Sequence, residues 1–262
     1  MAKVKVRRRR WPWIVAALVV LAAVLFFGLA PGILERSMSR IAGSGEWTVS
    51  PAAQALHDRL VIADLHSDTL LWKRDPEARA ERGHVDLPRL QDGNVKLQVF
   101  SSVTKTPKGQ NYEANGADTD NITMLAIAQL QPPRTWDSLL QRSLWHAERM
   151  QRAKGYRLVQ TVRDLDALLA DRTATGALLS IEGLQNLEGK LGNVDVLFDA
   201  GYRMAGLTHF FDNELAGSMH GLEKGGLTPL GRDVIRRMEA KGMVVDLAHA
   251  SHKTVAEALK LV

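Results

Sequence analysis

The 262-residue sequence contains no cysteine. That excludes disulfide scaffolds, thiolate zinc fingers, iron–sulfur sites and cysteine nucleophiles. Any metal must sit on His, Asp or Glu, donors that suit zinc and other borderline or hard divalent ions. An excess of positive charge is also missing from most of the chain. The formal charge is +5, but Lys3, Lys5 and Arg7 to Arg10 hold six of the 34 Lys and Arg, leaving 28 against 29 Asp and Glu. A nucleic-acid binder carries its basic stripe on the folded part, so no nucleic-acid partner is expected. With 45% hydrophobic and 24% charged residues, the composition is that of a globular protein rather than a disordered one.

Charge of either sign is absent from 11–34, and 14–30 is almost wholly aliphatic or aromatic. About 20 apolar residues cross a bilayer as a helix, and Trp11 and Trp13 beside the basic cluster suit the headgroup region. Residues 1–10 are therefore expected to form a basic cytoplasmic tail and 11–34 a single-pass transmembrane anchor. Everything after the anchor then lies on the exported, periplasmic or extracellular, face. The competing reading is a cleaved signal, whose apolar core usually runs about 7–15 residues. The run here is longer, and Gly28-Leu29-Ala30 makes a poor cleavage site. A retained anchor is the favoured reading. Residues 35–53, with Gly43-Ser44-Gly45, read as a linker, and 54–262 as the folded domain.

Short apolar runs of strand type recur at 60–65, 95–103, 177–181, 203–208 and 243–248. Helical patterns lie between them. At 228–241, Thr228 is placed to cap, Pro229 suits the first helical position, and Leu230, Val234, Ile235 and Met238 share a face. Gly242 supplies the stop. A second apolar stripe runs through 135–154. A third helix opens at Thr161, with Asp164 in capping-box position and Leu165, Leu168 and Leu169 facing inward. Strands alternating with helices predict βα units and a parallel sheet, five units in all.

Four strand ends carry metal-binding residue types. Asp64-Leu65-His66-Ser67-Asp68 closes the first run, and side chains two apart on extended backbone point the same way. Glu182 ends the wholly apolar run 177–181, where a carboxylate must be paired, solvated or metal-bound. His209 and His249 follow the next two runs. One such His is more often a satisfied core residue than a ligand; four consecutive strand ends offering His, Asp or Glu form a pattern. His57, His84, His146 and His252 read as structural or surface residues, His146 on the polar side of its helix. His84 with Asp86 is a distant second choice for metal, and His220 approaches the pocket without ligating.

The ordered set Asp64-Leu65-His66-Ser67-Asp68, Ser180-Ile181-Glu182-Gly183, Leu207-Thr208-His209, Gly226-Leu227-Thr228-Pro229-Leu230-Gly231 and Val245-Asp246-Leu247-Ala248-His249-Ala250-Ser251 resembles the membrane (renal-type) dipeptidase family. The resemblance spans roughly 60–259 and is weaker between 105 and 157. It implies an α/β fold, a (β/α)8 TIM-type barrel, with two zinc ions. His66 and Asp68 would bind one ion, Glu182 would bridge both, and His249 would bind the other. His209 would contact the substrate or the developing oxyanion, and Asn213 would shape the pocket rim. Asp68, Glu182 and His209 are then the catalytic set, and the implied activity is zinc-dependent hydrolysis of dipeptides by a metal-activated hydroxide.

Members of that family carry a further metal-binding His after a sixth strand, so the sequence is expected to be an incomplete barrel of about five units, inactive alone. The expected partners are a dipeptide and, through 11–34, the lipid bilayer, with a homodimer left open. Two alternatives stand beside this reading. One is another amidohydrolase-type barrel acting on cyclic amides or lactams; such barrels more often open with His-x-His and bridge with a modified lysine. The other is a membrane-anchored scaffold that has kept the fold without the chemistry.

Overall fold

A computed structural model describes residues 10–40 and 48–261; the basic tail up to residue 9 and the Gly43-Ser44-Gly45 stretch lie outside the described residues. The chain opens with α1 (Trp11–Ala23), a π-helical turn (Val24–Leu29) and α2 (Ala30–Met38), which together form one continuous helix, Trp11–Met38. It is the one helix among the described residues long and apolar enough to cross a membrane. At 1.5 Å per residue, 28 residues reach about 42 Å, more than a hydrocarbon core of about 30 Å. The helix outruns its apolar segment because Glu35 is buried, its carboxylate 3.0 Å from Arg74 Nε and 2.8 Å from Arg82 Nε. Residues 35–38, expected as linker, are thus helical and docked. The other end of that expected linker is helical too: α3 (Pro51–His57) starts at a Ser50 cap with Pro51 at its first position.

The alternating region follows. β1 (Ile62–Asp64), α4 (Leu87–Asp92) and β2 (Val95–Val103) lead to a helical excursion of α5 (Ile122–Ala128), α6 (Arg134–Asp137) and α7 (Leu139–Arg152). Then come β3 (Tyr156–Leu158), α8 (Val162–Ala170), β4 (Thr175–Glu182), α9 (Asn193–Asp199), β5 (Tyr202–Gly206), α10 (Pro229–Ala240), β6 (Val244–Asp246) and α11 (His252–Ala258). The strands pair in the order β1-β2-β4-β5-β6, all parallel, with β3 joined only to the start of β4. This consecutive order has no reversal of the kind that marks a doubly wound sheet; it is a parallel half-barrel. The five apolar runs seen in the sequence are the five strands of the main path. β3 went unread because Tyr156-Arg157-Leu158 has neither length nor an apolar run.

The core lies between the sheet and its covering helices. Phe100, Leu179 and Ile181 from the strands meet Met150 of α7 and Val234, Ile235 and Met238 of α10 in one buried cluster. Local signals act where the sequence placed them. The Thr228 hydroxyl accepts from Gly231 N, and Thr161 and Asp164 form both halves of a capping box. Two expectations change. The stripe at 135–154 is two helices, broken at Ser138, whose side chain accepts from Gln141 N to start α7. On α8 Leu168 is fully buried but Leu169 is exposed, because this helix of nine residues turns a single position, Leu168, fully inward.

Candidate metal centre

The carboxyl ends of β1, β4, β5 and β6 converge on one carboxylate. Glu182 is the last residue of β4, and Gly183 turns the chain at once with φ +82°; a Cβ there would sit 2.9 Å from the Cβ of His209. The open backbone at Gly183 therefore lets the β5 end close against the β4 end. Glu182 Oε2 lies 3.5 Å from His66 Nε2, which is itself 3.0 Å from Asp68 Oδ1. Its other oxygen, Oε1, lies 3.0 Å from His249 Nε2 and 3.4 Å from His209 Nε2. Two groups of ligand-type atoms result, His66–Asp68–Glu182 and Glu182–His209–His249, each within 4.8 Å throughout and sharing Glu182. His66 and Asp68 are half exposed, whereas Glu182 and His209 are largely buried.

Charge in this cluster is strongly coupled to burial. Burial pushes the Glu182 carboxyl up, but hydrogen bonds from His249 and His66 outweigh it and hold the group well below the usual carboxylate range. Hydrogen bonding to Asp68, then to Glu182, raises His66 to about 10 against the opposing effect of burial. Burial lowers His209 to about 4 despite the nearby Glu182 charge, so its imidazole is neutral at pH 7. The Nδ1 of His209 is buried and has no hydrogen-bond partner.

In front of the cluster is a cavity of about 840 Å³, lined by Asp68, Glu182, His209 and His249 and by apolar Trp72, Ile122 and Phe210. Leu34 of the N-terminal helix also reaches it. Sequence reasoning did not single out Trp72 or Phe210. The only signal for Phe210 was an aromatic directly after a strand-end histidine.

The remaining sequence expectations divide. Asn213 was expected at the pocket rim. Its Nδ2 donates to Leu207 O, 2.8 Å, and its Oδ1 accepts from the backbone of Leu215 and Ala216, so the side chain shapes the turn that follows β5. His220 does approach the site: it stacks on Phe210 with ring centroids 4.7 Å apart, its centroid is 5.2 Å from that of His249, and it joins neither ligand group. Of the two readings given for His146, structural or surface, the structure shows the structural one, 1% exposed with Nδ1 2.8 Å from Ser102 Oγ. The second His-x-Asp forms no centre: His84 is exposed, while Asp86 caps α4 and pairs with Arg89. His252 is exposed and His57 partly so.

Residues 51–262 match the family model described as membrane dipeptidase (peptidase family M19). The chain is 27% identical over 229 residues to an uncharacterized dipeptidase of Schizosaccharomyces pombe, covering 83% of this chain and 54% of that protein. It is 30% identical over 182 residues to the dipeptidase tcpJ of Claviceps purpurea, covering 68% of this chain and 39% of that protein. The chain spans about half the length of the curated relatives it matches. Two solved structures share the fold. One is a metallopeptidase of Rhodobacter sphaeroides liganded with a phosphinate mimic of the dipeptide L-Ala-D-Ala, with TM-score 0.57 and 18% identity over 77% of this chain and 62% of that one. The other is the probable dipeptidase PvdM of Pseudomonas aeruginosa, with TM-score 0.60 and 17% identity over 80% of this chain and 52% of that one. Since the family match runs through every strand of the half-barrel and every donor of the cluster, the chain belongs to the membrane dipeptidase family, peptidase family M19.

Proposed function

We propose that the whole protein is a zinc metallodipeptidase whose two ions share Glu182. The observation that carries this is the sharing itself: the two oxygens of one buried carboxylate face two separate sets of nitrogen and oxygen donors. Imidazoles and carboxylates without thiolate fit zinc-type ions, and a cation would displace the protons through which the histidines now hydrogen-bond to Glu182, leaving their nitrogen lone pairs as ligands. His66, Asp68 and Glu182 would hold one ion, and Glu182 and His249 the other. When bound, such a pair acidifies a water and polarises a carbonyl.

The chain's own residues supply the rest. His209, neutral and nearly buried at the cavity wall, donates an N–H to the oxygen that gains charge as a peptide carbonyl is attacked. Asp68 and Glu182 are the carboxylates in reach to carry a proton to the leaving amine. The apolar wall of Trp72, Ile122 and Phe210 excludes water from a small peptide. A dipeptide as substrate is supported by the family and by the dipeptide mimic in the Rhodobacter sphaeroides enzyme. A second role for His209 has its own support, since its Nε2 falls within ligand distance of Glu182 and His249 and would serve as a third donor to the second ion.

The consecutive strand order and the placing of all donors at carboxyl ends support reading the half-barrel as one arc of a (β/α)8 barrel. The N-terminal helix is read as a retained anchor, with the basic tail cytoplasmic and the catalytic domain exported. A mature mass that lacks the first 30 residues or so would replace the anchor by a cleaved signal.

Metal content tests the central reading. The purified whole protein should hold two ions per molecule, His66→Ala should lose one, and Glu182→Ala should lose both. A protein that binds no divalent cation, or is indifferent to Glu182→Ala, is the scaffold instead. Dipeptide turnover by the whole protein, against cyclic amides and lactams as controls, separates the two hydrolase readings.

A further inference from the structure

We infer that Ser218 is a positioning residue for the cation shared by Glu182 and His249, an inference that rests on the proposed dinuclear centre. The β5–β6 ladder ends at the pair Gly206–Asp246, with a last bond from Leu207 N to Asp246 O at 3.4 Å. His209 and His249 each lie three residues beyond it. Past that point the sheet no longer sets the separation of the two backbones, although their rings must both meet Glu182 Oε1, and their centroids stand only 4.8 Å apart.

Ser218 bridges this gap. Its side chain is fully buried, and its Oγ contacts the carbonyl oxygens of both histidines, closely at His209 and at 3.1 Å from His249. The same oxygen accepts from His220 N at 3.1 Å, so its one proton is shared between the two carbonyls while a lone pair takes an N–H. The serine is itself anchored, since Ser218 N donates to Asp212 Oδ1 at 2.7 Å. Met219 N adds a bond to His249 O at 2.8 Å. His249 needs such a grip because its backbone is left-handed, φ +62°, a conformation that a side chain other than glycine's adopts at a cost. The loop after β5 therefore holds His249 by its carbonyl in a left-handed backbone state with Nε2 3.0 Å from Glu182 Oε1, and Ser218 ties that state to the position of His209.

The test is a titration of the metal-free full chain in detergent with Co2+, followed by visible absorption and calorimetry, with melting of the metal-free protein as a measure of folding. Wild type should take up two ions. In Ser218→Ala the weaker-bound ion, identified by its loss in His249→Ala, should bind about 10- to 100-fold less tightly, the range typical of lost outer-shell support. The ion held by His66 and Asp68 should stay within about threefold, and Ser218→Thr, which keeps the hydroxyl, should recover the wild-type affinity. Equal weakening of both ions, or wild-type affinity at both, overturns the inference. Should Ser218→Ala fail to fold, Ser218→Cys replaces it, and a loss of melting temperature without selectivity between the ions also overturns it. A wild-type chain that binds no Co2+ removes the dinuclear centre itself, which is a different outcome.

Discussion

His146 and Glu182 are both ionisable residues in polar surroundings, and their neighbours give them opposite behaviour. Glu182 sits among histidines that favour its charge, whereas His146, on the buried side of α7, faces Ser102 of β2, and burial lowers it to about 3, helped by the charges of Arg149 and Arg142. Below its ordinary value of 6.5 the unfolded chain takes a proton that the folded chain refuses. Stability from this residue is therefore complete above pH 6.5 and falls as the pH drops toward 3, by up to about 1.4 kcal/mol per pH unit for one proton. Urea melts of wild type and His146→Gln at pH 7.5, 5.5 and 4.5 should show a shallower acid limb in the variant; parallel limbs would contradict this. The sequence could not show it, because the side chain that makes the site polar, Ser102, lies 44 residues away on β2. The four strand-end donors were legible for the converse reason: a parallel strand carries its chemistry at its carboxyl end wherever its neighbours lie.

At the scale of elements, local signals and close contacts had different visibility. The cap at Thr228, the capping box of α8 and the Gly242 stop are sequence-near and act as read. Gly231, inside the first turn of α10, is required for a reason no local pattern carries. A Cβ there would lie 2.1 Å from the backbone oxygen of Leu215, in the loop that shapes the centre. That atom belongs to the main chain and cannot swing aside, so Gly231→Ala should destabilise by about 1–3 kcal/mol, as overpacking does. Chemical denaturation with an unchanged m-value would measure it. The same separation explains the missed β3 and the break at Ser138. A three-residue strand exists only because β4 offers it an edge, and the break exists because Ser138 Oγ, besides capping α7, donates to Glu188 in a different connection.

For the whole molecule, the unexpected contact is that between the N-terminal helix and the half-barrel. Glu35 and Arg74 are almost completely buried against one another, with Arg82 on the other carboxylate oxygen. Removing one partner of a buried ion pair leaves the other charge without solvent or counter-ion, which costs about 3–5 kcal/mol. Glu35→Ala should therefore release α2 from the 74–82 loop, read as faster hydrogen exchange and faster tryptic cleavage at Arg74 and Arg82. Protection equal to wild type would mean that the contact adds nothing. The proposed anchor thus meets the metal-site body through a defined ionic clasp, and Leu34, one residue earlier, looks into the same cavity as Glu182.

The sequence by itself determined the parallel βα order, the apolar N-terminal segment, the exclusion of thiolate chemistry and the identity of His66, Asp68, Glu182, His209 and His249 as the residues to watch. Each of these depends on periodicity, composition or position at the end of a run, properties written within a few residues. Only the tertiary structure decided which oxygen of Glu182 faces which donor set, that the Asn213 side chain bonds the turn after β5, that His146 is interior rather than surface, and that Glu35 belongs to a buried ion pair. Those outcomes depend on groups tens of residues apart meeting at about 3 Å, where a hydrogen bond or a charge pair is either made or left unsatisfied. No local pattern encodes that distance.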